Sequence, residues 1–348
     1  GLKNSRKNGI NVIKSNNIII DGCIIENLGM SGIVMSECSN SKIINCDIAK
    51  LESKGIQVSG GDRQTLTRAD ILIENNHIYD FARRVRVYNP GIELNGVGIT
   101  VLHNLIHDST SQGIMLTGNE MTIKYNELYH LTTEMNDAGA IYMGRNYTMR
   151  GNEIAYNYIH DIDTEASKLG SVFVTGVYLD DLFSSANVHH NVFYKCHLAA
   201  MIGGGLDNNF DNNILVDCDN GMFFDARGVG WGAGHAAKGG QAYNTILQVP
   251  YNKPPYSEKY PELVSILDDP SKLGLPMNNS VCGNVMSKCM SNMVAGEFKT
   301  YGKYENNYET KTDDENDLFT DYENLDFSLK AGSAAAMSNP EAATIDMS

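Results

Sequence analysis

A short pattern that recurs along most of the chain constrains its fold more strongly than any other feature. One element is an asparagine followed by an apolar stretch, as in residues 104–108, and the other is a glycine followed by an apolar residue. The two elements alternate. Gly32 and Gly55 are 23 residues apart (32 to 55), and Gly91 and Gly113 are 22 residues apart (91 to 113). This regularity indicates a repeat protein whose units stack along one axis.

The length and chemistry of the repeat identify its structural unit. A period near 22 residues is too short for a pair of packed helices, but it fits one coil of two or three short strands. Segments 17–20, 71–73 and 176–179 are rich in β-branched or aromatic residues and are bounded by asparagine, aspartate or glycine, as strands are. The sequence therefore predicts an all-β fold, a right-handed single-stranded parallel β-helix with about 22 residues per coil. The recurrent asparagines are expected to form a stacked internal ladder.

Extra residues interrupt the period at several places. Insertions are expected near residues 60–69 or 81–90 and near 163–175, and a longer excursion is expected at about 228–280. Long loops in compact folds are usually functional, and in solenoids they tend to rim the binding face. The insertions are therefore expected on one face of the β-helix.

The chain is predicted to have two regions. Residues 1–301 are expected to form the β-helix, including the excursion, and residues 302–348, which are acidic and polar, are expected to end or cap the stack. The seven cysteines contain no CxxC pair, so neither a disulfide framework nor a zinc site is expected.

Charge and hydropathy restrict the classes of partner. The formal net charge is −15, and phosphate binding needs clustered lysine and arginine, so nucleic acid is not expected as a partner. The same charge weighs, less strongly, against a polyanionic substrate. No run of 18 or more apolar residues occurs, so no membrane span is expected.

Two aspartates can be placed on one face of the predicted coils. In residues 176–181, period-two alternation turns Asp180 outward. Residues 221–225 have the same register, so Asp225 lies in the same column, with Gly203 on the coil between. Stacked strands lie about 4.8 Å apart, so the two carboxylates are expected roughly 9.6 Å apart along the axis. That is near the upper edge of the range of about 6.5–9.5 Å for inverting glycosidases. The glycines between the acids are expected to leave room for a sugar ring.

Aromatic and basic residues surround this pair of aspartates. Arg145 comes level with Asp181 if one residue is bulged, and an adjacent arginine lowers the pKa of a carboxyl group. The neighbouring outward column consists of Tyr142, Tyr178, Met201 and Phe223. The residues predicted to be catalytic are Asp180, Asp225 and Asp181. The residues predicted to bind substrate are Arg145, Tyr142, Tyr178, Asp207, Arg227, Phe223, Trp231 and Asp137.

The stretch from residue 137 to residue 231 resembles glycoside hydrolase family 141, right-handed β-helix enzymes that act on fucosylated pectin or xylan, a hemicellulose. The resemblance implies hydrolysis by a pair of aspartates. Leu206 stands where an arginine is expected before Asp207, which removes one expected substrate contact. The chain also begins among the coils, and we expect an N-terminal portion of the relatives to be missing. The motifs that carry the resemblance lie at residues 139–145, 157–161, 176–181, 202–208 and 225–228.

Three functions remain open at this point. The first is a glycoside hydrolase that cleaves a plant-type or microbial polysaccharide without a cofactor. The second is a polysaccharide lyase, in which a lysine or arginine base works with Ca²⁺ held by acidic residues. The third is a non-catalytic glycan-binding β-helix. All three imply a polysaccharide or oligosaccharide partner and a secreted, periplasmic or cell-surface location, although no signal peptide is seen in this chain. The lyase ligands would be Asp180, Asp181, Asp207 and Asp225.

Overall fold

The computed structural model describes residues 1–164, 173–312 and 315–347. Within them the chain forms the predicted right-handed parallel β-helix, whose coils contribute strands to three long parallel sheets. Most of the insertion expected near 163–175 lies outside the described residues.

The first sheet has eleven strands, numbered like all others in chain order. They are β1 (Leu2–Lys3), β4 (Ile24–Leu28), β7 (Asp47–Leu51), β10 (His77–Tyr79), β13 (Leu105–His107), β16 (Glu127–Tyr129), β19 (Tyr158–Ile162), β22 (Val192–Cys196), β25 (Ile214–Val216), β28 (Val285–Ser287) and β31 (Tyr308–Thr310).

The second and third sheets have ten strands each. The second contains β2 (Ile10–Ile13), β5 (Ile33–Ser36), β8 (Ile56–Gly60), β11 (Ile92–Val97), β14 (Ile114–Asn119), β17 (Ala138–Gly144), β20 (Val174–Asp180), β23 (Leu198–Gly203), β26 (Asn220–Asp225) and β29 (Ser291–Val294). The third contains β3 (Ile19–Asp21), β6 (Lys42–Ile44), β9 (Ile71–Glu74), β12 (Ile99–Leu102), β15 (Thr122–Lys124), β18 (Asn152–Ala155), β21 (Ala186–His189), β24 (Asn209–Asp211), β27 (Ser280–Cys282) and β30 (Lys303–Glu305).

Short helices and one antiparallel hairpin complete the described chain. None of these helices is long and apolar enough to cross a membrane. The helices are α1 (Ala233–Ala236), α2 (Gln241–Ile246), α3 (Tyr256–Lys259), α4 (Gly296–Tyr301), α5 (Glu315–Leu318) and α6 (Ala334–Ser338), and the hairpin joins β32 (Phe319–Asp321) to β33 (Asp326–Leu329).

Aliphatic side chains fill the interior of the β-helix in columns. Coils are about 4.8 Å apart, so each side chain packs on the equivalent side chains above and below it. Full burial of one such side chain contributes about 1.5–3 kcal/mol to the free energy of folding. The same contribution recurs at each coil of a column. One buried column of the second sheet consists of Ile56, Ile92, Ile114, Ile141 and Val177.

A ladder of asparagines runs along one turn of the coils, as the repeat predicts. Asn157 shows the pattern, since its backbone N–H and its Nδ2 both donate to Asn191 Oδ1, at 3.0 and 2.9 Å. Its own Oδ1 accepts the same two bonds from Asn126. The ladder satisfies polar groups that would otherwise be buried without partners. Its members are Asn76, Asn104, Asn126, Asn157, Asn191, Asn213, Asn284 and Asn307.

Replacing Asn157 with alanine is expected to lower the free energy of unfolding by about 3 kcal/mol, because the buried backbone N–H of Asn126 loses its acceptor and the carbonyls of Ile123 and Ala155 lose the Asn157 amide as donor. Urea denaturation followed by circular dichroism measures the change. Asn187→Ala is the matched control, since Asn187 points outward from β21. Equal stability losses in the two variants would contradict the role of the ladder.

The segment between β26 and β27, residues 226–279, packs along the turns that join the second sheet to the third. The Tyr147 hydroxyl donates to the Leu273 carbonyl at 2.7 Å. Further toward the N-terminus, the Tyr260 hydroxyl donates to Glu120 at 3.1 Å. This segment therefore forms a wall beside the second sheet, and we call it the excursion wall.

The C-terminal region departs from the predicted boundary. Strands β30 and β31 continue the third and first sheets, and Asn307 continues the ladder, so the stack extends beyond residue 301. Residues 315–347 pack against the outer face of the first sheet, where the Phe327 ring lies 4.8 Å from that of Tyr194. Apolar side chains point outward on these coils, and the segment shields them from water. It therefore covers a side of the stack and not only its end.

Candidate active site

Three consecutive coils of the second sheet carry the predicted pair of aspartates. The pairing of β20 with β23, and of β23 with β26, brings Asp180, Gly203 and Asp225 into one outward column. The register expected from period-two alternation is therefore present. The neighbouring column contains, as expected, Tyr142, Tyr178, Met201 and Phe223.

The space between the two aspartates is occupied by the guanidinium of Arg227. A Cβ at Gly203 would lie 2.5 Å from Arg227 Cζ, so only glycine leaves room for the guanidinium here. The expectation that a sugar ring sits in this gap is therefore wrong. The physical reason is electrostatic, because carboxylates gathered in a buried site need a cation between them.

Arg227 binds three carboxylates at once. Its Nε donates to Asp225 Oδ1 at 2.9 Å, and its Nη1 donates to Asp180 Oδ1 at 3.0 Å and to Asp181 Oδ1 at 2.9 Å. The Arg227 side chain is only 4% exposed. Burial by itself lowers the pKa of Arg227, but hydrogen bonds and charge attraction from the aspartates outweigh it and raise the pKa. Arg227 is therefore a permanent cation and has no capacity to act as a base.

A second arginine holds Asp181 from the other side. Arg145 donates through Nε and Nη2 to Asp181 Oδ2, which agrees with the predicted register. Arg145 Nη1 also donates to Gln241 Oε1 in α2 at 3.3 Å. The excursion wall thus helps to position a side chain that borders the aspartates.

The pKa values of the adjacent aspartates are displaced in opposite directions. Burial raises the pKa of Asp180, and the negative charge of Asp181 raises it further. Burial would also raise the pKa of Asp181, but hydrogen bonds from Arg227 and Arg145 outweigh this and lower it. Asp181 therefore stays ionised, whereas Asp180 keeps its proton to a higher pH than an ordinary aspartate. Such a difference separates a proton donor from a permanent anion.

Two tyrosines extend the hydrogen-bond network. The Tyr142 hydroxyl donates to Asp180 Oδ2 and the Tyr178 hydroxyl donates to Asp137 Oδ1, both at 2.8 Å. Burial raises the pKa of both hydroxyls, so they remain donors. The two rings meet edge to face at 5.4 Å, and Tyr178 is only 2% exposed. These tyrosines orient carboxylates and do not offer an open ring face to a sugar.

A pocket of about 320 Å³ opens above this network. It brings most of the predicted site residues together. Two lining residues were not predicted as site residues. Met201 belongs to the outward column that the sequence predicts, so its place in the pocket could have been predicted from the alternation. Phe173 precedes β20 in an irregular segment, where no alternation predicts the direction of a side chain. The lining residues are Asp137, Arg145, Phe173, Tyr178, Asp180, Asp181, Met201, Phe223, Asp225, Arg227 and Trp231.

Three rings supply the open aromatic surface of the pocket. Trp231, the single tryptophan of the chain, is 71% exposed at the rim, and Phe173 is 42% exposed. The Phe173 ring lies 5.5 Å from the half-buried Phe223 ring. The Arg227 guanidinium lies 5.1 Å from the centre of the Trp231 ring. This cation–π contact joins the aromatic rim of the pocket to the charged residues at its floor.

Asp207 lies outside this pocket. It accepts a hydrogen bond from Asn278 and pairs with the buried Arg150 at 2.8 Å. These groups line a separate cavity of about 320 Å³ under the excursion wall. Asp207 follows the end of β23 with a φ of 58°, so the period-two alternation of the strand does not extend to it. Leu206 also packs under the excursion wall.

The carboxylates of the pocket do not fit a calcium ion. Ca²⁺ takes about six to eight oxygen ligands. In the part of the chain that the structure describes, no group of three or more His, Cys, Asp or Glu side chains is arranged to hold a metal ion. The Arg227 guanidinium occupies the point on which the three aspartates converge.

Comparison with known proteins identifies the family of the chain. A search of the curated proteins finds no match. A solved structure titled "Glycoside hydrolase" is similar at 16% identity and a TM-score of 0.45, over 59% of this chain and 38% of the other. The chain thus spans well under half the length of that protein. The family model described as "Right handed beta helix region" matches residues 2–127 and 67–230. With these two matches over most of its coils, the chain belongs to the right-handed β-helix family.

Proposed function

We propose that this protein is a glycoside hydrolase, which cleaves a carbohydrate polymer in the pocket above Arg227. One observation carries the proposal. Three aspartates converge on a buried guanidinium at the floor of a pocket with exposed aromatic rings, and burial raises the pKa of one of them, Asp180. Hydrolysis of a glycosidic bond requires one carboxyl group that gives a proton and another that stays ionised.

Asp180 is the proton donor in this proposal. Its raised pKa leaves a larger fraction protonated near neutral pH, and proton donation to the departing sugar oxygen lowers the barrier to bond cleavage. The Tyr142 hydroxyl holds Oδ2 at 2.8 Å. That bond favours the carboxylate that remains after proton transfer.

Asp225 is the second carboxyl group of the reaction. Its side chain is 19% exposed, compared with 10% for Asp180 and 3% for Asp181, so it is the most accessible of the three. One guanidinium bridges Asp225 and Asp180, so the two carboxyl groups flank one point of the pocket floor, as the carboxyl pairs of glycosidases flank the bond that they cleave. Asp225 therefore activates a water molecule or attacks the sugar itself.

Asp181 acts through its neighbours. It is buried and bound by Arg227 and Arg145, so it does not reach the sugar. Its fixed negative charge raises the pKa of Asp180 and favours positive charge that develops on the sugar ring. It is a positioning residue in this scheme.

The aromatic rings supply the substrate contact. Trp231, Phe173 and Phe223 present flat apolar surfaces beside carboxylates, the combination with which a pocket holds the C–H face and the hydroxyl groups of a sugar. The resemblance to family 141 supports a pectin or hemicellulose polymer as substrate. An enzyme of this kind acts in a secreted, periplasmic or cell-surface location.

The lyase alternative has weaker support. A lyase needs a base, and the raised pKa of Arg227 removes the one arginine at the centre of the site from that role. The acidic residues also lack the arrangement of a calcium site. The other alternative is a glycan-binding protein without catalytic activity, and the experiment must distinguish it from a hydrolase.

Digestion of a panel of plant and microbial polysaccharides tests the proposal. The wild type is expected to release new reducing ends, and Asp225→Asn is expected to reduce their rate of release by about a thousandfold, because an amide cannot act as a base. Asp219→Asn is the matched control, since its carboxylate is exposed and contacts His197 away from the pocket.

The products separate the three functions. Reducing ends without ultraviolet-absorbing products support the hydrolase. Unsaturated products that absorb in the ultraviolet would establish a lyase. Glycan binding without any product, unchanged in Asp225→Asn, would establish a binding protein.

A further inference from the structure

The floor of the pocket continues toward the N-terminus along the second sheet. Met115 of β14 pairs with Tyr142 of β17, so the strands that precede the site share its outward columns. In the column beside Met115, Asn95 pairs with Thr117 on one side and with Ser59 on the other. Coils lie about 4.8 Å apart, and a sugar residue in an extended glycan advances by a similar length.

Several polar side chains of this surface have no hydrogen-bond partner within the described protein. These neutral groups point outward from a rigid sheet, since alternate residues of each strand are buried. They are therefore free to bond an external ligand. We call Ser36, Gln57, Asn95 and Thr117 the polar track.

Of the charged groups that border the polar track, Lys54 and Glu93 neutralise each other, whereas Arg63 has neutral hydrogen-bond partners. Lys54 and Glu93 form an ion pair at 2.6 Å. The Arg63 guanidinium donates to Asn119 and Thr148 at 2.9 and 3.0 Å. A polyanionic chain needs free cations for binding, whereas a neutral sugar needs donors and acceptors without net charge. The track fits the neutral sugar.

The excursion wall borders the polar track as it borders the pocket. Gln64, next to Arg63, donates to the Gln248 carbonyl of the wall at 2.6 Å. A cavity of about 540 Å³ beside the track is lined in part by Ser59, Arg63 and Asn95. The pocket and the track thus lie on the outward face of the same sheet beside the same wall, and we call them together the trough.

The trough is asymmetric about the aspartates. Among the described residues, four strands of the second sheet carry it on the N-terminal side of β17, from β5 to β14, whereas one strand, β29, follows β26 on the other side. A glycan therefore has several contacts on one side of the cleaved bond and few on the other.

We propose that the polar track binds a neutral, extended oligosaccharide portion of the substrate, about one sugar residue per coil, along the axis of the β-helix. This inference rests on the proposed function for the position of the cleaved bond. It adds that the substrate is neutral along this portion and that affinity rises with chain length up to about five or six residues.

Binding to an inactive variant tests the track independently of catalysis. Asp180→Asn protein is titrated with neutral xylo-, manno-, cello- and fuco-oligosaccharides of two to six residues, and with oligogalacturonides of equal length. Trp231 fluorescence and titration calorimetry report binding. We expect at least one neutral series to bind more tightly with each added residue, and Asn95→Ala to weaken binding of its hexasaccharide by about fivefold to tenfold.

Asn187→Ala in the same background is the matched control, because Asn187 points outward from β21 of the third sheet. The inference is overturned if no neutral series binds, if oligogalacturonides bind more tightly, or if Asn95→Ala behaves like the control. Product release by the wild type separates the two proposals. Cleavage with no effect of Asn95→Ala rejects the track alone, whereas length-dependent binding without cleavage rejects the hydrolase alone.

Discussion

Asp180→Asn is expected to lower kcat by about a thousandfold on any polysaccharide that the wild type cleaves, because the amide has no acidic proton to give to the departing sugar. The Asp180 carboxyl group accepts hydrogen bonds from Arg227 Nη1 at 3.0 Å and from the Tyr142 hydroxyl at 2.8 Å. Asparagine has nearly the same shape as aspartate. The loss should therefore appear in kcat more than in KM. Initial rates of reducing-end release measure it.

The pH profile of the wild type provides a second test of the same role. The acid form of Asp180 is the active one, so kcat falls as pH rises through the pKa of Asp180, and the raised pKa extends activity to higher pH. Tyr142→Phe removes a hydrogen bond that favours the carboxylate, so this alkaline limb should move further upward. A limb that moves downward, or full activity in Asp180→Asn, would reject Asp180 as the acid.

Folding is a separate readout for Asp180→Asn. The folded pKa of Asp180 is raised above the unfolded value, so its contribution to stability is fully present only below the unfolded pKa and is lost as pH rises through the folded pKa. Asparagine keeps an oxygen acceptor, and Arg227 still pairs with Asp181 and Asp225, so the substitution should cost about 1–3 kcal/mol of the free energy of unfolding at neutral pH and leave the protein folded. Urea denaturation then distinguishes lost chemistry from lost structure.

Arg227→Met is expected to destabilise the protein by about 3–5 kcal/mol at neutral pH and to abolish activity, because it leaves Asp180, Asp181 and Asp225 close together without their shared cation. Urea denaturation at neutral pH measures the loss. Methionine fills much of the volume of the arginine, so most of the effect is electrostatic.

Acid should partly reverse this destabilisation. Without the guanidinium, the folded pKa values of the aspartates rise, so the deficit relative to the wild type shrinks as pH falls and the carboxylates become protonated. Arg145→Met is the control, since that side chain is 41% exposed and forms an ion pair with one of the three aspartates, Asp181. It should cost about 1 kcal/mol or less. A similar cost for both arginines would show that Arg227 does not hold the cluster together.

The fold could be predicted from the sequence because its interactions repeat at a fixed spacing. The coils from Asn76 to Asn307 each place one asparagine in the ladder, as Asn157 does, and strands such as β8 alternate buried and outward residues. Alternation is a local property of an extended backbone. For that reason the common column of Asp180 and Asp225 followed from two short segments and the repeat.

The centre of the site could not be predicted in the same way. Arg227 comes after the end of β26, at the start of a 3₁₀ turn, where no alternation directs the side chain. Its conformation depends on carboxylates that lie 46 and 47 residues earlier in the chain. Asp207 was misplaced for the same reason, because it follows a glycine-rich turn and pairs with Arg150.

The sequence by itself determined the coil, the ladder and the outward column in which the aspartates lie, because these depend on the period-two geometry of strands and on the repeat length. Only the tertiary structure decided that Arg227 fills the glycine gap, that Asp180 and Asp181 differ in pKa, and that the excursion wall borders the second sheet. These features depend on charges and loops that meet through space, and their free energy exists only once the coils have stacked.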